Sequence, residues 1–382
     1  MPDYFKADKL ELVRSGEAYF TLLKQLIRDS RQIIHLQTYI FDDDRTGCEI
    51  IQELCDAARR GIKVYLLLDA FGSVNFKRAF QHLCLDAGVN FRFFASLFSN
   101  ENIFAGRRLH HKLVSVDHRL ALVGGINIAE KYRGSPHVAP WLDFALYSEA
   151  QDNVVLERLC ADFYFRRLNK REVHLNMPTK KAERSLCYQR NDWIRGRNEI
   201  HNSYHEQISS AKKEILIVAS YFLPGRKFRN LLSAAVRRGV RVRLLIAGQS
   251  DTLSVRFAET YLYNYYLRNK IEIYEWKDSV MHGKAMITDQ NWCTIGSYNL
   301  NFLSHFASIE LNAECRDPVL IMSFQEELES TLINHCDAFK ADEKRARLIY
   351  IVRFLNWMAY SFFRILRSLF AGITKRRKRH LF

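Results

Sequence analysis

The stretch from His110 to Asn127, HHKLVSVDHRLALVGGIN, decides how this chain is interpreted, because the stretch from His282 to Asn299, HGKAMITDQNWCTIGSYN, repeats its pattern. Each stretch contains His-x-Lys, an Asp five residues after the Lys, and a Gly seven residues after that Asp that opens a Gly-x-x-Asn segment. A single His-x-Lys would carry little information. Two copies with the same order and spacing indicate an internal duplication.

Two further pairs of segments repeat. The apolar run 33–41 resembles 215–223, as expected for buried strands, and Arg59-Arg60-Gly61 before one strand matches Arg237-Arg238-Gly239 before another. The offsets between copies are 182 and 178, and 172 for the His-x-Lys pair, a drift that small loop differences produce. In each copy a helix ends at the Gly and a strand follows.

The segments between these repeats alternate strand and helix, which predicts an α/β fold with helices on both faces of each sheet. For the first half we predict strands 33–41, 63–69, 89–94, 112–117, 120–124 and 142–148, and helices 46–60, 77–87 and 150–168. For the second half we predict strands 214–221, 240–246, 271–275, 284–288, 293–296 and 307–313, and helices 200–211, 227–238, 252–268 and 317–337.

The predicted architecture is two similar, pseudo-symmetric α/β lobes that share one active-site cleft, followed by a C-terminal amphipathic helix. The first lobe spans 1–170, a polar, basic connector spans 171–186, the second lobe spans 187–340 and a basic tail spans 341–382.

Composition points to a globular body with an anionic partner. The 382 residues are 48% hydrophobic and carry a formal net charge of +15. Eleven Lys or Arg and no Asp or Glu fall in 344–382, which leaves +4 for residues 1–343, so the excess charge belongs to the tail. The eight cysteines form no Cys-x-x-Cys pair and no zinc-type spacing, and the first residues contain no signal-peptide run. We therefore expect free thiols and a cytosolic body.

The repeated motifs suit chemistry at a phosphodiester. If the two copies meet at one cleft, two His, two Lys and two Asn surround a small volume. Lysines neutralise non-bridging phosphate oxygens, Asn side chains add directed hydrogen bonds, one His attacks phosphorus and the other protonates the leaving alkoxide. A phosphohistidine intermediate lets an alcohol compete with water, which favours a transferase. The run Asp42-Asp43-Asp44 is interpreted as a loop before a helix, not as a metal site.

These two motifs, with their trailing Gly-Gly-x-Asn and Gly-Ser-x-Asn, resemble the phospholipase D superfamily over residues 20–337. Within it the chain is most similar to bacterial cardiolipin synthases of the short, peripheral type. The supporting segments are the run 37–41 with Asp43-Asp44 and Gly47, then 109–112, and Trp141-x-Asp143.

The resemblance implies roles for individual residues. His110 is the expected nucleophile and His282 the general acid. Phosphate is expected to be bound by Lys112, Lys284, Asn127 and Asn299. Glu310 matches an acidic residue that orients a catalytic His, and Asp143 is the weaker candidate for that task in the first half. Asp117 and Asp289 are expected to anchor their motifs. No cofactor and no metal are implied. The family's usual Asn-Leu-Asp reads Asn299-Leu300-Asn301 here.

The tail residues 348–370, LIYIVRFLNWMAYSFFRILRSLF, place three arginines on one side of a helical wheel and most apolar side chains on the other. The interruptions leave no stretch long enough to span a bilayer. A broad apolar face with a basic seam is typical of a helix that lies on an anionic membrane surface, and we assign that role to 345–382. Packing of this helix on the body and a tilted spanning helix are the alternatives.

The sequence therefore predicts a phosphatidyltransferase, peripheral on the cytoplasmic face of the cell membrane, that joins two phosphatidylglycerol molecules into cardiolipin and releases glycerol. A phospholipase D hydrolase that makes phosphatidic acid is the first alternative. A phosphodiesterase or nuclease is the second, and the modest charge of the body disfavours it because DNA backbones demand many cations. A non-catalytic lipid-binding scaffold is disfavoured by two intact motifs.

Overall fold

The computed structural model describes residues 3–95, 107–166, 185–250, 252–339, 354–366 and 368. Most of the predicted connector, from 171 to 184, and tail residues 341–353, 367 and 369–382 lie outside the described residues. By its contacts the chain divides into two units. The first is Met1–Gln189 with Ile295–Ser297 and Leu311–Leu320, and the second is Arg190–Thr294 with Tyr298–Glu310 and Ile321–Phe382.

The strands of the first half are β1 (Lys9–Arg14), β2 (Ile33–Thr38), β3 (Lys63–Asp69), β4 (Asn90–Phe94), β5 (Arg108–Leu109), β6 (Leu113–Val116), β7 (Leu120–Gly124) and β8 (Phe144–Glu149). Those of the second half are β9 (Leu186–Asp192), β10 (Arg197–Asn198), β11 (Glu214–Ala219), β12 (Arg241–Ala247), β13 (Glu272–Trp276), β14 (Lys284–Thr288), β15 (Trp292–Gly296), β16 (Ser308–Cys315) and β17 (Cys336–Ala338).

The helices are α1 (Glu17–Asp29), α2 (Arg45–Arg59), α3 (Arg78–Ala87), α4 (Glu130–Arg133), α5 (Val154–Tyr164), α6 (Glu199–Ser210), α7 (Arg226–Arg237), α8 (Leu253–Arg268), α9 (Phe302–Phe306), α10 (Pro318–His335) and a final helix α11 over 354–366. The predicted elements are present, most of them with ends within two residues of the prediction.

Strand order confirms the internal duplication. The first sheet runs β1-β8-β7-β6-β2-β3-β4, and the second contains the same order as β9-β16-β15-β14-β11-β12-β13, extended by β10 beyond β9 and β17 beyond β13. In each sheet the three strands β2-β3-β4 or β11-β12-β13 pair in parallel, whereas β6 and β14 pair antiparallel to β2 and β11. The topology thus places the two His-x-Lys motifs at equivalent positions, directly before β6 and at the start of β14.

Helices cover both faces of the first sheet, as predicted. Successive side chains of a strand point to opposite faces, so β2 serves two layers. Ile34 and Leu36 belong to the large apolar core that also contains the buried side chains of α1, α2 and α3. On the opposite face, the Gln37 side chain donates to the Cys160 carbonyl of α5 at 3.2 Å.

The helix α11 packs through its polar side and exposes its apolar side. Asn356 is only 5% exposed, and the Tyr360 ring stacks on Tyr261 of α8 with ring centroids 4.7 Å apart. Phe362 and Ile365 are 56% and 59% exposed. None of the helices in the described ranges combines the length and apolarity needed to cross a bilayer.

Candidate functional site

The aspartate of the first motif fixes a tight hairpin to the start of β2. Asp117 and His118, which connect β6 to β7, both have positive φ angles, 49° and 65°. The Asp117 carboxylate accepts three backbone N–H groups, from Arg31 at 2.7 Å, Gln32 at 2.8 Å and Ile33 at 2.9 Å. Left-handed backbone costs free energy for residues other than Gly, and these hydrogen bonds compensate for it.

The second motif repeats this arrangement with the same three-bond geometry. Asp289 and Gln290 have φ angles of 52° and 56°, and the Asp289 carboxylate accepts the N–H groups of Lys212, Lys213 and Glu214 at 2.8, 2.8 and 2.9 Å. Burial opposes ionisation, yet the backbone hydrogen bonds outweigh it and lower the pKa of Asp289. The carboxylates of both motif aspartates therefore bind backbone N–H groups at the start of a neighbouring strand. Their fixed distance from each His-x-Lys pair positions the strand that follows that pair.

Both motif lysines are buried and folded back onto their own segment. Lys112 is 3% exposed, and its Nζ donates to the His110 carbonyl at 2.8 Å. Lys284 is 2% exposed, and its Nζ donates to the His282 carbonyl. Both histidines precede the strand of their motif, because β6 begins at Leu113 and β14 at Lys284. The lysine reaches its histidine through the backbone carbonyl.

The ring of His110 is oriented by one backbone carbonyl and one aromatic ring. Its Nδ1 lies 3.1 Å from the carbonyl oxygen of Ser297, which belongs to the same unit. A carbonyl can only accept, so Nδ1 carries the hydrogen and Nε2 carries the lone pair of the neutral ring. The Tyr39 ring meets His110 edge-on at 4.9 Å between centroids, and the Lys112 ammonium lies 5.3 Å from the same Tyr39 ring.

The ring of His282 has the opposite hydrogen arrangement. Lys284 Nζ lies 2.9 Å from His282 Nδ1. An ammonium can only donate, so Nδ1 is the acceptor and the ring hydrogen sits on Nε2. His282 is 7% exposed. The neutral forms of the two histidines thus suit different tasks, since one has a nucleophilic Nε2 and the other an Nε2–H that can be donated.

Asn127 is fully buried, and both ends of its amide are bonded within the protein. Its Oδ1 accepts the Ile40 N–H at 3.0 Å and the Thr38 hydroxyl at 3.4 Å, while Nδ2 donates to the Tyr132 hydroxyl at 2.7 Å. In this arrangement the predicted phosphate ligand supports the chain that leaves β2 toward Tyr39. Nδ2 carries a second hydrogen, so contact with phosphate does not require the bond to Tyr132 to break.

Asn299 has a similar internal bond but a more open position. Its Oδ1 accepts the Ser220 hydroxyl at 2.7 Å, and Ser220 follows β11 as Thr38 ends β2. The Asn299 backbone N–H donates to the Ser304 hydroxyl at 3.2 Å. With 7% of the residue exposed, Asn299 fits the predicted role of phosphate donor better than Asn127 does.

Asp143 is a fully buried carboxylate directly before β8. Its Oδ1 accepts the Phe144 N–H at 2.7 Å, and its backbone N–H donates to the Ser15 hydroxyl at 2.9 Å. A Cβ atom on Gly125 would lie 2.3 Å from Asp143 Oδ1. Gly125 therefore permits this carboxylate to approach the end of the first motif.

Glu310 occupies the equivalent place in the second half. The Ser297 N–H donates to the Leu311 carbonyl at 3.0 Å, as the Gly125 N–H donates to the Phe144 carbonyl at 3.0 Å. Glu310, the residue before Leu311, therefore corresponds to Asp143, the residue before Phe144, and it too is fully buried. The pKa of Tyr298 is raised by burial and by the charge of Glu310.

Asp69, at the end of β3, is a positioning residue that the sequence analysis missed. It is fully buried; Oδ2 accepts the Leu109 N–H at 2.8 Å, and Oδ1 accepts the N–H groups of Phe71 and Gly72 at 3.0 and 3.1 Å. Burial raises the pKa of Asp69, although these hydrogen bonds act in the opposite direction. The bond to Leu109 fixes the residue directly before His110. The sequence did offer one indication of this role, since Asp69 is the carboxylate at the end of the otherwise apolar run 64–69, VYLLLD.

The run Asp42-Asp43-Asp44 forms the loop before α2, as predicted. Asp44 caps the helix, since its Oδ1 accepts the Gly47 N–H at 2.9 Å. Asp43 pairs with Lys77, and Asp42 accepts from the Asn75 amide at 3.1 Å. Among the described residues no group of three or more His, Cys, Asp or Glu side chains is arranged to hold a metal ion.

Comparison with known proteins assigns the family. A match to the family described as "Cardiolipin synthase, PLD-like domain" covers residues 23–134 and 204–332. The chain belongs to this family. The predicted phospholipase D superfamily and its duplicated α/β fold are thereby confirmed.

Curated relatives carry the same description over most of their length. Cardiolipin synthase B of Escherichia coli (strain K12) is 31% identical over 344 residues, which cover 87% of this chain and 82% of that protein. Cardiolipin synthase 2 of Bacillus anthracis is 27% identical over 356 residues, covering 90% of this chain and 69% of that protein. These relatives support the predicted cardiolipin synthase-like phosphatidyltransferase.

A solved structure supports the fold. The phosphatidylserine synthase of Haemophilus influenzae Rd KW20 superposes with a TM-score of 0.73 at 16% identity and covers 96% of both chains. At that identity the likeness concerns the fold alone.

Proposed function

We propose that this chain transfers a phosphatidyl group from one phosphatidylglycerol molecule to another through a phosphohistidine on His110, making cardiolipin and releasing glycerol. The observation that carries the proposal is that the His-x-Lys site occurs twice, once in each half of the chain. Each presents a histidine backed by a buried lysine, and the ring hydrogens of the two histidines are on opposite nitrogens. The family and its named relatives supply the substrate class.

In the first step Nε2 of His110 attacks phosphorus, a P–N bond forms and the P–O bond to the departing glycerol breaks. Nε2–H of His282 gives its proton to the glycerol oxygen, which leaves as a neutral alcohol, while the Lys284 ammonium passes a proton to His282 Nδ1 so that the ring stays neutral. In the second step the glycerol hydroxyl of another phosphatidylglycerol gives its proton to His282 Nε2 and attacks phosphorus, and His282 Nδ1 returns its proton to Lys284. The P–N bond breaks, and both histidines return to their starting forms.

Charge that develops on the phosphorus oxygens needs fixed cations and donors. Lys112 and Lys284 are held by the backbone of their own motifs, so little reorganisation is required when the phosphate arrives. We assign a directed hydrogen bond to Asn299, while Asn127 supports the chain beside Tyr39. Asp143 and Glu310 act as buried positioning carboxylates at equivalent places in the two halves.

The tail supports action at a membrane surface. The helix α11 presents Phe354, Trp357, Phe362 and Ile365 to solvent while its polar side packs on α8. Eleven Lys or Arg and no Asp or Glu lie in 344–382. Apolar burial and attraction to anionic lipids act together in such a helix. We infer a peripheral protein, and its eight cysteines, which form no disulfide in the structure, suit the reducing cytoplasmic side.

The reaction is tested by incubating the purified protein with phosphatidylglycerol vesicles and analysing lipids by mass spectrometry, with wild type and His110→Ala in parallel. Cardiolipin and glycerol in equal amounts, absent with the variant, are the expected products. Phosphatidic acid in place of cardiolipin would identify water as the acceptor and make the enzyme a hydrolase. Cleavage of DNA that ignores lipid would favour the nuclease alternative.

The roles of the two histidines are tested separately. Without His282 the acid is missing but the nucleophile remains, so His282→Ala should accumulate a covalent phosphatidyl-enzyme on a donor with a good leaving group. His110→Ala should form none. The reverse pattern would exchange the two roles.

Membrane binding is tested by a matched pair of substitutions. Ile365→Glu places a charge on the exposed apolar face of α11, and Ile333→Glu makes the same change at an exposed position of α10. Losing the burial of one isoleucine, about 1.5–3 kcal/mol, predicts about tenfold or greater weakening of binding to anionic vesicles for Ile365→Glu in sedimentation. Equal effects of the two substitutions would refute this orientation of the tail.

A further inference from the structure

The second unit contains a cavity of about 570 Å³ that is lined by residues of α7, α8 and α11. None of its lining residues belongs to either His-x-Lys motif. The lining includes two arginines, several amides and three tyrosines, and it includes no Asp or Glu. A concave site with cations and hydrogen-bonding groups on an aromatic wall suits an anion that also carries hydroxyl groups.

Asn356 gives the cavity an unmet hydrogen-bonding requirement. It is 5% exposed, and its Oδ1 accepts no hydrogen bond from the described residues. A buried acceptor left without a donor costs about 1–3 kcal/mol, so such groups usually have a bound partner. This polar side chain is buried on a helix that exposes Phe362 and Ile365, the reverse of what packing alone favours.

The cations of the cavity are Arg229 and Arg268. Arg229 is oriented by a bond from Nη1 to the Pro224 carbonyl at 2.8 Å, and its guanidinium lies 5.6 and 5.9 Å from the rings of Tyr265 and Tyr360. Arg268 ends α8 and contributes a second positive charge to the lining. Two guanidinium groups match the oxygens of a phosphate ester.

We propose that this cavity binds the phosphoglycerol headgroup of an anionic lipid, with phosphate on Arg229 and Arg268 and a headgroup hydroxyl donating to Asn356 Oδ1. A phosphate ester with a free alcohol hydroxyl meets the two arginines and Asn356 Oδ1 with two separate groups, whereas inorganic phosphate must meet both with one small group. Because α11 provides both Asn356 and the outward apolar face, occupation of the cavity holds the tail helix against α8. The site is separate from the transfer reaction proposed above and does not depend on it.

The test uses full-length protein carrying His110→Ala, so that no probe is consumed. Amide hydrogen exchange of α8 and α11 is measured by mass spectrometry against glycerophosphoglycerol, monomeric dihexanoyl-phosphatidylglycerol and inorganic phosphate. We expect protection of both helices by the two glycerol-containing probes, at concentrations at least tenfold lower than for inorganic phosphate. Dihexanoyl-phosphatidylglycerol acting at a much lower concentration than glycerophosphoglycerol identifies the membrane lipid as the source, and equal concentrations identify the soluble ester.

Variants connect the protection to the cavity. Arg268→Gln and Asn356→Leu should each raise the half-maximal concentration about tenfold or more, as loss of one hydrogen bond to a charged or buried partner does. Arg237→Gln is the matched control, since it removes the same charge from an exposed position outside the cavity, and it should have no effect. Protection that is absent, or unchanged in Arg268→Gln and Asn356→Leu, would overturn the proposal. Equal potency of inorganic phosphate would overturn the headgroup assignment.

Discussion

Replacing Asp289 by asparagine separates an anchoring role from a role in proton transfer. The carboxylate accepts two N–H groups at Oδ1 and the N–H of Lys212 at Oδ2. In the variant an NH₂ group takes the place of one oxygen, so one charge-assisted hydrogen bond is lost and the others become neutral. One such bond contributes about 1.5–3 kcal/mol, and we expect the free energy of unfolding to fall by about 2–4 kcal/mol.

The assay is urea unfolding of the full-length protein, followed by phosphatidyl transfer measured per folded molecule. We expect this loss of stability together with less than about tenfold change in kcat. The reason is that the Asp289 carboxylate accepts the backbone N–H groups of Lys212, Lys213 and Glu214, none of which belongs to a His-x-Lys motif. Asp117→Asn should behave alike, since Asp117 has the same three-bond geometry. Unchanged stability together with a collapse of kcat would refute the anchoring role and indicate a proton carrier.

The pH dependence gives this prediction a second, independent check. Because the folded-state pKa of Asp289 is lowered, its contribution to stability is complete above the usual carboxyl pKa of about 4 and is lost as the pH falls through the lowered value. The difference in unfolding free energy between wild type and Asp289→Asn should therefore be constant near neutral pH. Below about pH 4 it should shrink.

Three further outcomes are expected. Burial and the nearby His118 lower the pKa of His35 to about 4, so the wild type should lose up to about 3 kcal/mol of stability between pH 6.5 and 4. His35→Ile, which copies Ile217 of the second half, should abolish that loss. A urea-unfolding stability of the variant that depends on pH as the wild type's does would contradict this prediction. Asp69→Asn should reduce kcat more than it raises KM, because it frees the segment before His110, and it should do so without altering the acid limb of the pH–rate profile. Transfer measured in EDTA should equal transfer without it, and abolition would contradict the metal-free steps proposed here.

The repeated sequence predicted the fold well, because each half carries the same order of strands and helices and the two copies support one interpretation. It did not predict β1, whose strand KLELVR has only Val13 buried and pairs with β8 far along the chain. The helix α1 was also missed, although Tyr19, Phe20, Leu23 and Leu26 have helical spacing and are buried. The predicted strand 33–41 ends at Thr38, because the N–H groups of Ile40 and Phe41 bond to side chains of Asn127 and Ser73 instead of a neighbouring strand.

The candidate site could be predicted by residue type, whereas the partner of each group could not. The residues of both motifs are visible in the sequence, but the amide of Asn127 bonds to Tyr132 and Ile40 because of how the chain turns after β2. The correspondence of Asp143 with Glu310 follows from strand register and is hidden by different residue types. Asp69 acts on a segment forty positions away, and a single sequence does not reveal such a contact.

The hydrogen bond from His110 to residue 297 ends on a main-chain oxygen, which has a consequence for how this enzyme tolerates genetic change. No side-chain replacement can delete that acceptor, so the residue type at position 297 is constrained by the bond from the Leu311 N–H to the Ser297 hydroxyl and not by the bond from His110. The first half already carries Gly125 at the corresponding position, where the second carries Ser297. A change of side chain at position 297 therefore leaves in place the carbonyl that keeps the ring hydrogen of His110 on Nδ1.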